Sequence, residues 1–324
     1  MQILFVDLVK NKELLDYAEE IVLPAFTDDT LVRTYGKSTQ FFLYETKFEM
    51  VEDSEVPTLA LTGHFVKDTI LRRTQIFQDG QGLVQDEDQM ESSPSAFFVL
   101  ILNDHKLLYL PETSDAPNVQ TFSSTIRTFL IKKHNEFILE LQKGLRETGE
   151  RASKKSLIKT HPKPSLVVTP LASQSSIEEF LKRYKTLKSL ELTLVKTNQE
   201  IQGKEVWKKV RGMSEDIKSS KTTVTHRNKD GLETDQAAAQ IHDAAASGNQ
   251  LVKLNGDDLE GNILKGNNDK FSYSVPLAEI PEERENLVKK MYDVFKHARE
   301  EGTITTDVSV GNIANVIRWM ARLI

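Results

Sequence analysis

Near the start of the chain, Ile3, Phe5 and Val6 form an apolar patch that predicts a short strand. Residues 12–21 then place Leu14, Leu15, Ala18 and Ile21 on one helical face. Residues 40–48, 59–65 and 69–77 alternate in the strand manner, and the last two predict a hairpin turning at 66–68. Residues 79–95 (DGQGLVQDEDQMESSPS) have no period and predict a long acidic loop. AFFVLIL, the turn NDHK and LLYLPE predict a second hairpin. From Thr125 to Glu147 the period becomes helical, with Ile126, Phe129, Leu130, Phe137, Ile138, Leu141 and Leu145 in one stripe. Residues 146–164 are polar and basic with two prolines near the end, and predict a linker.

Beyond the linker, strands and helices alternate. Residues 165–171 predict a strand. Ser175 or Ser176 then caps a helix whose first turn carries Glu178 and Glu179, where the helix dipole favours carboxylates. Strands follow at 187–195, 222–226, 251–254 and 271–275, with helices at 204–218 and 236–246. This order predicts a ferredoxin-like α/β module. Helices near 282–301 and 308–323 close the chain. The fold expected is α+β in three parts. Residues 1–150 form an acidic β-rich domain, 151–280 a basic module, and 281–324 helices that pack on the first domain or form a dimer interface.

Charge changes this picture from fold to function. Residues 1–120 hold 9 Lys/Arg against 21 Asp/Glu, a net of −12, whereas 121–230 hold 23 against 12, a net of +11. An acidic chain with a basic middle suits a module that faces a large anion such as DNA. The same segregation also arises when charge mixes on the folded surface, or when a protein partner takes both halves. Lys204, Lys208, Arg211 and Lys218 share a face of the 204–218 helix, while Val206, Val210, Met213 and Ile217 share another. Lys209 adds a further cation, and Lys182, Arg183, Lys185 and Lys188 form a second cluster. Lysine acts as a point charge, so backbone contact with little sequence preference is expected. Trp207 and Tyr184 are the large rings near these clusters, suited to base stacking or to the core.

Chemistry has less to stand on. Cysteine is absent, so no disulfide or thiolate site exists, in keeping with a reducing cytoplasm. The seven histidines lack metal-ligand spacing; no metal site and no cofactor is expected, and His105 reads as a solvated turn residue. Gly36-Lys37-Ser38-Thr39 has the end of a phosphate loop but Leu31 where its first glycine belongs. Glu45-Thr46-Lys47 with Asp28 or Asp29 upstream matches the Asp…Glu-x-Lys pattern of Mg²⁺ nucleases, so Asp29, Glu45 and Lys47 are the candidate catalytic residues of an alternative, enzymatic reading. No apolar run reaches the roughly 20 residues of a membrane span.

Ser93-Pro94-Ser95-Ala96-Phe97-Phe98-Val99, with Thr113-Ser114-Asp115 and the 122–129 segment downstream, resembles the middle of the RexA-like exclusion proteins of phage lambda. Residues 166–194, with their Thr-Pro-Leu strand and Ser-rich cap, resemble the segment that follows there. A weaker likeness is to the KwaB component of Kiwa defence systems. The resemblance implies a cytoplasmic, homodimeric DNA-binding component of anti-phage defence that acts with a membrane-protein partner without itself entering the membrane. It carries no catalytic residues. The function expected is therefore largely sequence-independent DNA binding; the rivals are the nuclease and a protein-interaction subunit.

Overall fold

The computed structural model describes residues 2–5, 12–194, 205–219, 221–245, 250–304 and 317–324. The fold is α+β and divides into two units, Met1–Val168 with Asn315–Ile324, and Thr169–Ala314. The boundary thus falls 18 residues beyond the expected position of 150. The expected C-terminal part is shared: residues 281–314 belong to the second unit and 315–324 to the first. Of the expected 308–323 helix, residues 308–316 lie outside the described residues; 317–320 are helical, and a 3₁₀ turn follows at Ala321–Leu323.

The first unit begins with β1 (Gln2–Phe5), β2 (Lys12–Glu13) and, after a 3₁₀ turn and a wider π-helical turn, α1 (Leu23–Thr27). Strands β3 (Val32–Tyr35), β4 (Thr39–Glu52), β5 (Thr58–Gln78), β6 (Gly82–Ser92), β7 (Ser95–Ile101) and β8 (Lys106–Pro111) follow. Helices α2 (Val119–Glu147) and α3 (Lys154–Thr160) and strand β9 (Pro164–Val167) complete it. The large sheet runs β3-β4-β5-β7-β8, with β6 on the outer half of β5, and every neighbour is antiparallel. A small sheet runs β2-β1-β9. Two expectations change here. The hairpin turn at 66–68 does not exist, because β5 runs unbroken for 21 residues. The acidic loop 79–95 contains a strand, β6, paired to β5 from Thr69↔Ser92 to Gln78↔Gly82.

Helix α2 starts earlier than its stripe predicts. Asn118 caps it, the Oδ1 accepting from the Thr121 N–H at 2.8 Å. That start brings Phe122 into the core, with ring centroids 5.3 Å from Phe65, 5.1 Å from Phe98 and 5.7 Å from Tyr109. The expected linker holds α3, capped by Ser153, and docks through its end. The His134 Nε2–H donates to the His161 carbonyl at 2.8 Å, while the Tyr17 hydroxyl meets His161 Nδ1 at 2.9 Å.

The second unit contains α4 (Gln174–Leu181), β10 (Tyr184–Leu194), α5 (Glu205–Asp216), β11 (Thr223–Arg227), α6 (Thr234–Ala245), β12 (Gln250–Asp258), β13 (Ile263–Asn267) and α7 (Arg284–Glu300). Ser173 caps α4 in place of Ser175 or Ser176. Its hydroxyl accepts from the Ser176 N–H at 3.1 Å, and the Ser176 hydroxyl accepts from the Ser173 N–H at 3.1 Å. The sheet runs β11-β10-β12-β13, all antiparallel. This is not the ferredoxin-like connection. β10 and β11 are joined through a helix yet lie side by side and antiparallel, and the expected opening strand serves the first unit as β9. The expected strand at 271–275 is replaced by a 3₁₀ turn, Asn268–Phe271. Buried Leu190, Leu192, Val252 and Leu254 turn one sheet face toward Ile177 and Phe180 of α4, Trp207 of α5 and Ile241 of α6.

Candidate nucleic-acid interface

Alternation along the second sheet sends the other parity outward. Thr223, Thr225 and Arg227 on β11, Lys253 and Asn255 on β12, and Lys265 and Asn267 on β13 are all exposed. Register makes rows of them. One row is Arg227, Ser189, Asn255, Lys265; the next is Thr225, Glu191, Lys253, Asn267. Neighbouring strands lie about 4.8 Å apart, so a row of four spans about 14 Å. The rows hold three cations, one carboxylate, and hydroxyl and amide groups that donate to anionic oxygens. The carboxylate, Glu191, receives Arg227 Nη2 at 3.3 Å. Arg227 is largely exposed, so this pair is cheap to exchange for a phosphate.

The cations named from sequence are only partly gathered. Lys182 and Arg183 are exposed just after α4, with the Arg183 guanidinium 5.3 Å above the Phe180 ring. Lys185 and Lys188 both sit at irregularities of β10, where the register against β12 shifts between Tyr184/Thr186 and Leu187/Ser189. Lys185 is exposed; Lys188 is held by Asp257 at 2.5 Å. Lys204 lies outside the described residues, as does the side chain of Lys208. Lys209 and Lys218 are exposed. Arg211 is half-buried, and that burial pulls its guanidinium below its ordinary pKa. The packed face of α5 is also narrower than expected. Trp207 is buried and Val210 half-buried, but Met213 and Ile217 are exposed. Trp207 and Tyr184 both belong to the core, so neither presents a stacking face. Burial pushes the Tyr184 hydroxyl up to about 12. Sequence reasoning missed Arg227, Lys253 and Lys265. The alternation of QLVKLNGDD in β12 was the signal that placed Lys253 outward.

The nuclease candidates Asp29, Glu45 and Lys47 are exposed side chains of the first unit. Among the described residues, no three His, Asp or Glu side chains come together to hold a metal. Asp29 is exposed, and Glu45 occupies a bulge of β4 with φ +49° beside exposed Lys47. Asp28 is committed to Lys133 at 2.6 Å, which holds its carboxyl down to about 2. Gly36-Lys37-Ser38 forms the tight β3–β4 turn, with Gly36 at φ +66°. One polar cluster had no sequence signal. The Glu112 carboxylate accepts from Ser95 Oγ at 2.6 Å and meets His64 Nδ1 at 3.0 Å, joining residues that lie on β5, at the start of β7 and just after β8. The bonds from His64 and Ser95 outweigh burial and lower the Glu112 pKa. Both donors are spent on one carboxylate, which is structural tethering of strand ends.

His105 is buried in the β7–β8 turn with φ +52°, not solvated as its position suggests. Burial pulls its pKa from 6.5 down to about 3. A histidine depressed in the folded state contributes stability in full above the unfolded value, and loses it as pH falls through that value toward the folded one. The melting temperature is therefore expected to fall as pH drops from 6.5 toward 3, with Asp28 adding a further loss from 3.8 toward 2. Thermal melts across pH, with His105→Asn beside the parent, test this. Asparagine tolerates positive φ, so the variant should fold and show a flatter profile between pH 6.5 and 4. An unchanged slope would remove His105 from the account.

No family model, no curated protein and no solved structure matches this chain. Among the described residues, no helix is long and apolar enough to cross a membrane.

Proposed function

We propose that the second unit binds DNA through its backbone, with little sequence preference, as the sensing component of a cytoplasmic phage-defence system. The observation that carries the binding reading is the exposed sheet face on which Arg227, Lys253 and Lys265 stand among hydroxyl and amide donors. Phosphates need point charges and N–H or O–H donors, and this face supplies both on a rigid antiparallel frame. Lys182, Arg183 and Lys185 add three exposed cations where β10 begins. The defence setting rests on the RexA-like resemblance of residues 93–129 and 166–194. So do the homodimer and the membrane-protein partner.

The test is fluorescence anisotropy with labelled duplex and single-stranded DNA over a salt series. Each phosphate contact contributes a slope of about 0.9 in log K against log salt for duplex, and about 0.7 for single strands. Replacing Arg227, Lys253 and Lys265 together by glutamine should lower the duplex slope by about 2 to 3 and weaken all sequences alike. Lys209→Gln, on α5, should change the slope by less than one contact. Absence of binding at low salt would discard the DNA reading in favour of a protein partner. Cleavage with Mg²⁺ that disappears in Glu45→Ala would restore the nuclease.

A further inference from the structure

Beyond Thr69, β5 leaves the sheet body and, among the described residues, pairs with β6 alone, forming a two-stranded arm. No described residue covers either face of the arm. Leu71 is 42% exposed, Met90 61%, Phe77 70% and Leu83 68%. Register puts these four on one face, as the cross-strand pairs Leu71↔Met90 near the base and Phe77↔Leu83 near the tip. Between them Arg73 is tied to Asp86 at 2.6 Å and Asp88 at 3.4 Å. A two-stranded ribbon alone in water is marginally stable, and so much apolar surface on one calls for a cover.

The two edges of the arm differ. On the β6 edge, Asp86, Glu87, Asp88 and Glu91 stand beside a register irregularity between Arg73 and Gln75; charge and bulging both discourage pairing. On the other edge, strand β4 stops at Thr39↔Thr69, and among the described residues no strand pairs with 70–78. That edge (ILRRTQIFQ) has no carboxylate, proline or glycine. It is an open template for one more strand.

We infer that the occupant is the same edge of a second copy of this chain, paired antiparallel about a two-fold axis at Thr74. This register sets Leu71 opposite the partner's Phe77, and Arg73 opposite the partner's Gln75. Met90, Leu71, and the partner's Phe77 and Leu83 then form one continuous apolar row, and symmetry makes the row twice. No two like charges face each other, because Arg72 meets the partner's Ile76. The exposed Asp79 at each tip is brought toward exposed Lys37, next to the start of the other copy's β4. An isologous contact of this kind closes on itself and leaves no free edge to propagate.

The chain has no cysteine, so single-cysteine variants report the register directly. Directly opposed residues of an antiparallel pair lie about 4.5–5.5 Å apart at Cα, within disulfide reach. Thr74→Cys should form a disulfide-linked dimer under mild oxidation. Gln78→Cys should not link to itself, being separated from its twin by eight residues of rise, about 27 Å. Leu71→Cys mixed with Phe77→Cys should give the mixed dimer. Sedimentation of the cysteine-free full chain should show a dimer that Leu71→Lys with Phe77→Lys converts to monomer at the same concentration. Both positions are exposed in the single chain, so the variant should melt where the parent melts once diluted to monomer, and only the parent's melting temperature should rise with concentration. A parent chain that sediments as a monomer at 100-fold concentration ranges up to about 100 μM would overturn the proposal, since that lies far above the Kd of a specific dimer. So would linkage of Phe77→Cys to Met90→Cys without linkage at Thr74, which would mean stacked faces in place of paired edges. Neither outcome depends on whether DNA binds.

Discussion

Phe122→Ala is expected to destabilise the first unit by about 3–5 kcal/mol, the cost of emptying a fully buried aromatic site. The ring is completely buried and lies against Phe65 on β5, Phe98 on β7 and Tyr109 on β8. It thus closes aromatic pairs with three strands at once. Each such pair adds about 0.5–1.5 kcal/mol beyond the area it buries, so the loss belongs at the upper end of the range. Domains of ordinary size have about 5–15 kcal/mol to lose. Urea titration followed by circular dichroism measures the effect, with Leu139→Ala on the same helix as the comparison, since Leu139 is 52% exposed. A loss below about 1 kcal/mol for Phe122→Ala would contradict the packing described, because even modest cavities cost more.

The core of this unit was legible because burial imposes a period. The α2 stripe and the β7–β8 hairpin were visible in the spacing of Ile126, Phe129 and Leu130 and in AFFVLIL. The arm was legible only on its β5 side, where residues 69–77 alternate. On its β6 side, residues 82–92 form a strand with both faces in water, so neither parity has to be apolar and no alternation is written. Gly80, Gly82, Asp86 and Ser92 then read as loop composition. The polar stretch Lys67-Asp68, taken as a turn, marks where β5 passes from the covered sheet to the arm. The strand after the expected linker was visible, but its partner, β1, lies about 160 residues earlier, and sequence order suggested a nearer one.

The candidate interface was half legible for a related reason. A helix displays its cations every third or fourth residue, so Lys204, Lys208, Arg211 and Lys218 looked like a surface. A sheet displays them across strands. Arg227, Lys253 and Lys265 are dispersed in sequence, and only the register of β11, β10, β12 and β13 aligns them. Arg211 is half-buried because its neighbour Trp207 turns that side of α5 toward the core. Lys188 is paired with Asp257 on the adjoining strand.

Gly256→Ala should disturb this same frame. A β-carbon at Gly256 would stand 2.1 Å from the Thr186 carbonyl oxygen and 3.0 Å from the Leu187 Cα. Both are backbone atoms of β10 between its two register shifts, so relief requires moving the strand and not turning a side chain. Overpacking of this kind costs about 1–3 kcal/mol, and here more because backbone must yield. Gly212→Ala is the control. Nothing lies within 4 Å of a β-carbon there, in the middle of α5, and alanine is favoured over glycine in a helix by about 1 kcal/mol. Opposite signs in the two melts are expected. Gly256 lies one residue beyond Asn255 on β12, so β10 cannot shift there without breaking the Ser189↔Asn255 row. If the open face holds DNA, Gly256→Ala should therefore weaken binding at temperatures where the variant is still folded, although no charge has been removed. Unaltered affinity in the folded variant would move the DNA contacts off the sheet and back to the cations of α4 and α5.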